Sequence, residues 1–206
     1  MSREKNIIYA ARFVSLVFTP FYLPLVGLIA LFTFSYLSLL PIEYRLLVLA
    51  IVYFFTILAP TFLIHFYRRL QGWTRIELGQ KRRRMVPYFI GILCYMCCIF
   101  VLHNLNIYHF VSSIVLAGLM VQVVCAIINI WWKISTHTAA IGGVAGALFV
   151  FAEIFGFNPV WWVCIVLILA GILGSARMLL RQHSLSQVLA GFAVGFVCAG
   201  VSILLP

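Results

Sequence analysis

The sequence predicts an all-α protein, a polytopic membrane helix bundle of six or seven transmembrane helices, and three observations lead there. Of its 206 residues 65% are hydrophobic and only 9% are charged, whereas a soluble domain is about half apolar and about a quarter charged. Uncharged apolar runs recur along the whole chain. No Ser/Gly/Pro-rich linker separates them, so residues 1–206 read as a single integral membrane domain.

Each span must supply roughly 20 mostly apolar residues, because it crosses about 30 Å at 1.5 Å per residue and satisfies its backbone internally. The start, MSREKNIIYAARF, is positively charged. It leads into an apolar run too long for a signal-peptide core and lacks a small-residue cleavage site, so it is expected to be retained. The first span, 14–38, contains Pro20 and Pro24, and its leading part is expected to be kinked or interfacial. After Pro41 to Arg45 comes 46–66, and after a long polar loop from Arg68 to Arg84 comes 86–102. His103-Asn104-Leu105-Asn106 and His109 precede 109–129. Spans 138–157 and 159–176 are parted by Gly156-Phe157-Asn158-Pro159, and 187–205 closes the set.

Threading these crossings gathers the basic residues. Arg3, Lys5, Arg12, Arg68, Arg69, Arg75, Lys81, Arg82, Arg83, Arg84, Lys133, Arg177 and Arg181 fall on one face, leaving Arg45 alone on the other. The positive-inside bias makes that face cytoplasmic. Setting Lys81, Arg84, Lys133 and Arg177 aside leaves the bias standing. Trp131-Trp132 and Trp161-Trp162 read as interface belts on opposite sides. Cys94, Cys97, Cys98, Cys125, Cys164 and Cys198 all lie in apolar stretches as small hydrophobes; the first three are expected to share a helical face, and no metal site is expected. Gly142, Gly143, Gly146, Gly191 and Gly195 have the spacing of close helix packing.

Topology does not account for His137 and His183. Each stands at a helix start on the basic face, within the strings Lys133-Ile134-Ser135-Thr136-His137 and Arg177-x5-His183-x3-Gln187. Ionisable groups at membrane depth are costly and point to function. A phosphoryl group needs cationic donors for its oxygens, an imidazole nucleophile, a second imidazole to protonate the leaving oxygen and a group that orients the nucleophile. Residues 183 and 187 share a helical face, so Gln187 could accept from a His183 ring nitrogen and fix its tautomer. His65, His103 and His109 have no such neighbours and read as interfacial.

Arg177-x5-His183-x3-Gln187 resembles the third motif, Ser-Arg-x5-His-x3-Asp, of the type 2 phosphatidic acid phosphatase family, which is similar to the vanadium haloperoxidases. Ile134-Ser135-Thr136-His137 resembles the second motif, Pro-Ser-Gly-His, and Lys81 to Arg84 followed by Pro87 stands where the first, Lys-x6-Arg-Pro, belongs. The likeness covers about residues 77–200. It implies a metal-independent phosphatase that acts on lipid phosphates through a phosphohistidine intermediate, with no cofactor. Carried over, His183 is the nucleophile, His137 the general acid, and Arg177, Arg84 and Lys81 hold phosphate with Ser135 and the Thr136 amide. Gln187 replaces the family's Asp, Thr136 its Gly, Ile134 its Pro, and Glu77 stands where the first motif has Lys.

The leading expectation is therefore a lipid phosphate or isoprenyl diphosphate phosphatase, multi-pass in a bacterial cytoplasmic membrane, with a lipid phosphate and membrane lipids as its partners. Two alternatives stay open: a catalytically silent relative that binds anionic lipid headgroups, motivated by Gln187, Thr136 and the irregular first motif, and a small transporter, for which Gln122 and Asn129 are the polar residues within the spans. Nucleic acid is not an expected partner, because the basic run at 81–84 is short and confined beside the membrane. Which lipid phosphate is bound, and the oligomeric state, are not written in any residue.

Overall fold

The computed structural model describes residues 2–34, 36–72 and 85–204. Eight helices are described: α1 Ser2–Val17, α2 Leu23–Phe34, α3 Ile42–Leu70, α4 Met85–Asn104, α5 His109–Trp131, α6 Thr136–Phe155, α7 Val160–Leu179 and α8 Leu185–Leu204. The last six are long and apolar enough to cross a membrane, and the count becomes seven if the bent α1–α2 pair is one span. The chain is thus an integral, multi-pass, all-α bundle.

The expected first span, 14–38, is two helices instead of one. A 3₁₀ turn at Pro20–Tyr22 separates them, and the two segments meet at 74°. Proline explains the break: Pro20 cannot donate to the preceding turn, whereas Pro24 sits in the first turn of α2, where an amide hydrogen has no partner to lose. A second proline leaves its mark inside α3. Residues Phe54–Leu58 adopt π-helical turns just before Pro60, the local adjustment expected where a ring removes a backbone donor.

Helices α3 to α8 alternate direction, so one end of the bundle collects the ends of α3, α5 and α7 and the starts of α4, α6 and α8. Arg68 and Arg69 end α3 at this face, where cations complement the helix dipole. Most of the apolar core lies in the other half, where Leu28, Val48, Val52, Leu102, Val111 and Val115 are fully enclosed. On α4, Cys94 and Cys98 face inward but Cys97 is exposed. The expected common face therefore holds for the pair four residues apart and fails for Cys97, which the 100° helical step turns towards the outside.

Near the polar face, large side chains give way to backbone contact between α6 and α8. A Cβ added at Gly142 would collide with the Phe192 carbonyl, one at Gly146 with the Phe196 carbonyl, and one at Gly195 with the Ala139 carbonyl. Gly191 rests against Ser135 and Thr138. A Cβ at Gly143 itself would meet only ordinary contacts at 3.7 Å or more, but its backbone nitrogen lies 2.8 Å from where a Cβ on Gly195 would sit, so it too belongs to the close approach. The two helices that follow the histidine motifs are thereby held at the closest approach that backbones allow.

Candidate functional site

The site is built from two chain reversals on the polar face. Between α5 and α6, Ser135 is the N-cap: its hydroxyl accepts from the Thr138 amide at 3.4 Å, which satisfies one orphan donor of the first turn. Ser135 is fully buried. As first-turn residues of α6, Thr136 and His137 have backbone amides with no intrahelical acceptor, the usual anion-receiving feature of a helix start.

Between α7 and α8 the chain turns more sharply. Arg181 takes the left-handed conformation at φ 51°, and the Gln182 amide reaches back to the Arg177 carbonyl at 3.1 Å, which terminates α7 with a Schellman-type closure. Ser184 and Gln187 then form one half of a capping box at the start of α8, the Ser184 hydroxyl pairing with that of Ser186. The Gln187 side-chain oxygen accepts from the Ser184 amide at 3.2 Å, the reciprocal contact expected of Ser-x-x-Gln. The two reversals are stitched together where the Ser135 amide donates to the Gln187 carbonyl at 3.4 Å.

The capping box also decides a tautomer. Gln187 Oε1 lies 3.2 Å from His183 Nδ1. Because a backbone N–H points at the same Gln187 atom, that atom is the acceptor oxygen, so Nδ1 must carry the hydrogen. Neutral His183 accordingly keeps its lone pair on Nε2. Burial pushes the His183 pKa down to about 4, helped by the positive charges of Arg177 and Lys133, while hydrogen bonds with Gln187 and the Lys133 backbone act the other way. The ring is neutral at neutral pH.

Arg177 and His183 are both electrostatic neighbours of His137, so the three motif residues converge. Arg177 Nη1 donates to Ser15 Oγ at 2.6 Å, and the Ser15 backbone also faces the His137 ring. Among the described residues, two buried atoms here, Arg177 Nε and His137 Nδ1, have no hydrogen-bond partner; a third such atom, Arg45 Nε, belongs to the opposite end of the bundle. Buried polar atoms are nearly always paired, so two unsatisfied nitrogens on adjoining site residues fit a place that receives an outside polar group. An oxyanion suits Arg177 Nε, because a guanidinium can only donate, whereas His137 Nδ1, with the ring's other nitrogen turned to the Ser15 backbone, accepts from a hydroxyl when the ring is neutral.

Ser135, Thr136, His137, Arg177, His183 and Gln187 therefore come together, while Lys81 and Arg84 lie outside the described residues. Ser15 was not foreseen. It is an isolated hydroxyl in an apolar stretch, remote in sequence from every motif, and only the packing of α1 on α7 brings it to Arg177. Gln122 and Asn129 are engaged within the bundle, Gln122 with Tyr95 and Asn129 with Met85 at 3.7 Å, which leaves neither as evidence for a polar path. Among the described residues, no three His, Cys, Asp or Glu side chains cluster closely enough to hold a metal ion.

Comparison with curated proteins and with solved structures finds no match. A family model does match: residues 129–206 fit the PAP2 superfamily. That segment carries both histidines, Arg177 and Gln187, and the match implies phosphatase-type chemistry.

Proposed function

We propose that the chain, whose residues 129–206 match the model of the PAP2 superfamily, is an integral membrane phosphatase that hydrolyses a lipid phosphate or isoprenyl diphosphate without metal or cofactor. The observation that carries this reading is the oriented His183 ring, whose Nδ1 meets Gln187 Oε1 at 3.2 Å, which assigns the nucleophilic lone pair of a neutral imidazole to Nε2.

In the proposed reaction, Nε2 of His183 attacks the terminal phosphorus and its bond to the leaving oxygen breaks, that of the lipid alcohol in a monophosphate or of the lipid monophosphate in a diphosphate. His137 protonates that leaving oxygen. Water, deprotonated by His137, then attacks the phosphohistidine, which releases inorganic phosphate and restores His183. Arg177 and the first-turn amides of α6 stabilise charge on the non-bridging oxygens, an effect of the kind worth about 100- to 1,000-fold per donor. Lys81 and Arg84 are proposed as further phosphate contacts. Ser135, whose hydroxyl caps α6, is proposed to act chiefly by fixing that amide array. The basic face carries the site and is proposed to be cytoplasmic.

Gln187 supports a second reading. A neutral amide orients His183 as a carboxylate would, but it adds no negative charge to stabilise the imidazolium form, and a silent protein that binds anionic headgroups would tolerate this. Phosphate release from phosphatidic acid, phosphatidylglycerol phosphate and undecaprenyl diphosphate, measured in excess chelator, separates the two. The enzyme reading expects release that His183→Ala abolishes while lipid binding persists. Binding without release from any of the three sinks it.

A further inference from the structure

A cavity of about 210 Å³ runs through the bundle beside the site. Its walls are α2, α5 and α6, with Tyr95 of α4 and Ala199 of α8 closing the back. One end is Thr136, next to His137, and the other is reached at Phe155, Phe157 and Trp162. From Thr136 to Phe155 the α6 axis rises about 28 Å, close to the hydrocarbon thickness of a bilayer. The void is therefore as long as the membrane is thick, and it begins at the proposed phosphate site.

Its lining is apolar by construction. Ala140, Gly143 and Ala147 present small side chains along one stripe of α6, opposite Gly27 and Ala30 of α2. Protein interiors otherwise fill such space, and an empty cavity of this size costs stability. Three polar residues reach it, and two are spent on each other: the Gln122 amide is hydrogen-bonded to Tyr95 and packs against Gly91. The third, Thr136, is at the phosphate end. Water and ions find few partners there, whereas apolar cavities of roughly 150 Å³ already stay dry and accept apolar ligands. Val26 of α2 and Trp162 of α7 line the void and are also exposed, so it opens sideways between those helices towards lipid.

We infer that this cavity holds one hydrocarbon chain of the substrate, laid along α6 with its phosphate at His183 and Arg177 and its tail end near Phe155. The inference rests on the phosphatase reading for the identity of the head. It rests on the cavity alone for the chain. A saturated alkyl chain and a polyprenyl chain share the required chemistry, and the break between α1 and α2 at Pro20 and Pro24, both lining residues, opens the mouth through which either enters from the bilayer.

Two probes test it on the full chain in lipid nanodiscs, a long alkyl phosphate and a polyprenyl phosphate, each with a diazirine at the chain end. Photolysis is expected to label Phe151, Phe155, Phe157 or Trp162, and the probe that does so identifies the chain type. Label confined to outward positions such as Trp161 and Ile168, for both probes, overturns the proposal. In parallel, Ala147→Phe fills the middle of the cavity. It is expected to lower the ratio of kcat/KM for a long-chain over a short-chain alkyl phosphate by about tenfold or more, as a few displaced methylenes require. A ratio that stays within about twofold of wild type contradicts the proposal. If wild type releases phosphate from neither substrate, the phosphatase reading fails by itself, and the labelling pattern still decides the cavity.

Discussion

The hydroxyl of Ser15 accepts a hydrogen bond from Arg177 Nη1 at 2.6 Å although 162 residues of chain separate them. The N-terminal helix is thus part of the site, outside the segment that matches the PAP2 superfamily. By holding one guanidinium nitrogen, Ser15 sets where the unpaired Nε points.

Ser15→Ala removes a hydrogen bond to a charged group that is largely buried, a change worth about 1.5–3 kcal/mol. Thermal unfolding in detergent is expected to shift down, and competitive inhibition by inorganic phosphate to weaken by about tenfold. Ser15→Thr keeps the hydroxyl and is expected to restore both. Unchanged phosphate inhibition in Ser15→Ala would remove Ser15 from the site.

Gln187→Glu retains the oxygen that meets His183 Nδ1 and the Ser184 amide and adds a negative charge. An adjacent anion favours the imidazolium form, so turnover is expected to rise several-fold, with a higher His183 pKa. Gln187→Leu, which loses the tautomer lock, is expected to fall by about 100-fold or more. Equal rates in the two variants would dissociate Gln187 from His183.

The pH dependence has a definite sign. His183 has its pKa lowered from 6.5 to about 4, so its ring stays neutral and reactive down to about pH 4 and is lost as pH falls below that. Between those two values the unfolded chain binds the proton more readily, and folding therefore loses stability as pH drops. Carbethoxylation of His183, followed by mass spectrometry, is expected to slow with a midpoint near pH 4. Removing a positive neighbour in Lys133→Ala is expected to raise that midpoint. A wild-type midpoint near 6.5 would mean that the ring is neither buried nor flanked by cations.

Gly195→Leu tests the scaffold. Its side chain would start inside the Ala139 carbonyl, so α6 and α8 must separate. Overpacking costs about 1–3 kcal/mol and sometimes more, and here it also pulls Ser135 from Gln187. Loss of a monodisperse folded peak, or loss of all phosphate release, is expected. Leu189→Ala, at an exposed position on the same helix, is the control expected to behave as wild type.

Much of this was legible in the residues, and the exceptions have physical causes. Spans declare themselves because lipid demands about twenty apolar residues each. The His183–Gln187 contact was expected from a shared helical face, but His183 lies before the start of α8 at Leu185, and Gln187 reaches it by folding back over the helix start onto the Ser184 amide and the ring together. The break at Pro20 could be expected, but not the angle at which α2 leaves α1, which depends on what α2 packs against. Cys97 departs from the expected face because it lies to the other side of Cys94 from Cys98, 100° away from Cys98, and the buried stripe of α4 covers only the side that Cys94 and Cys98 share. Ser15 gave no local signal, since its partner is set by α1 docking on α7. The cavity gave none either: a void is a property of three helices together, and Ala140, Gly143 and Ala147 read singly as ordinary packing residues.

The central claim is that His183 becomes covalently phosphorylated. Wild-type protein incubated briefly with ³²P-labelled phosphatidic acid or undecaprenyl diphosphate, quenched in alkali and digested, should yield an acid-labile, alkali-stable label on the peptide that contains His183. The label should be absent from His183→Ala. Phosphate release at the wild-type rate from His183→Ala, or label that maps to any other residue, would contradict the account.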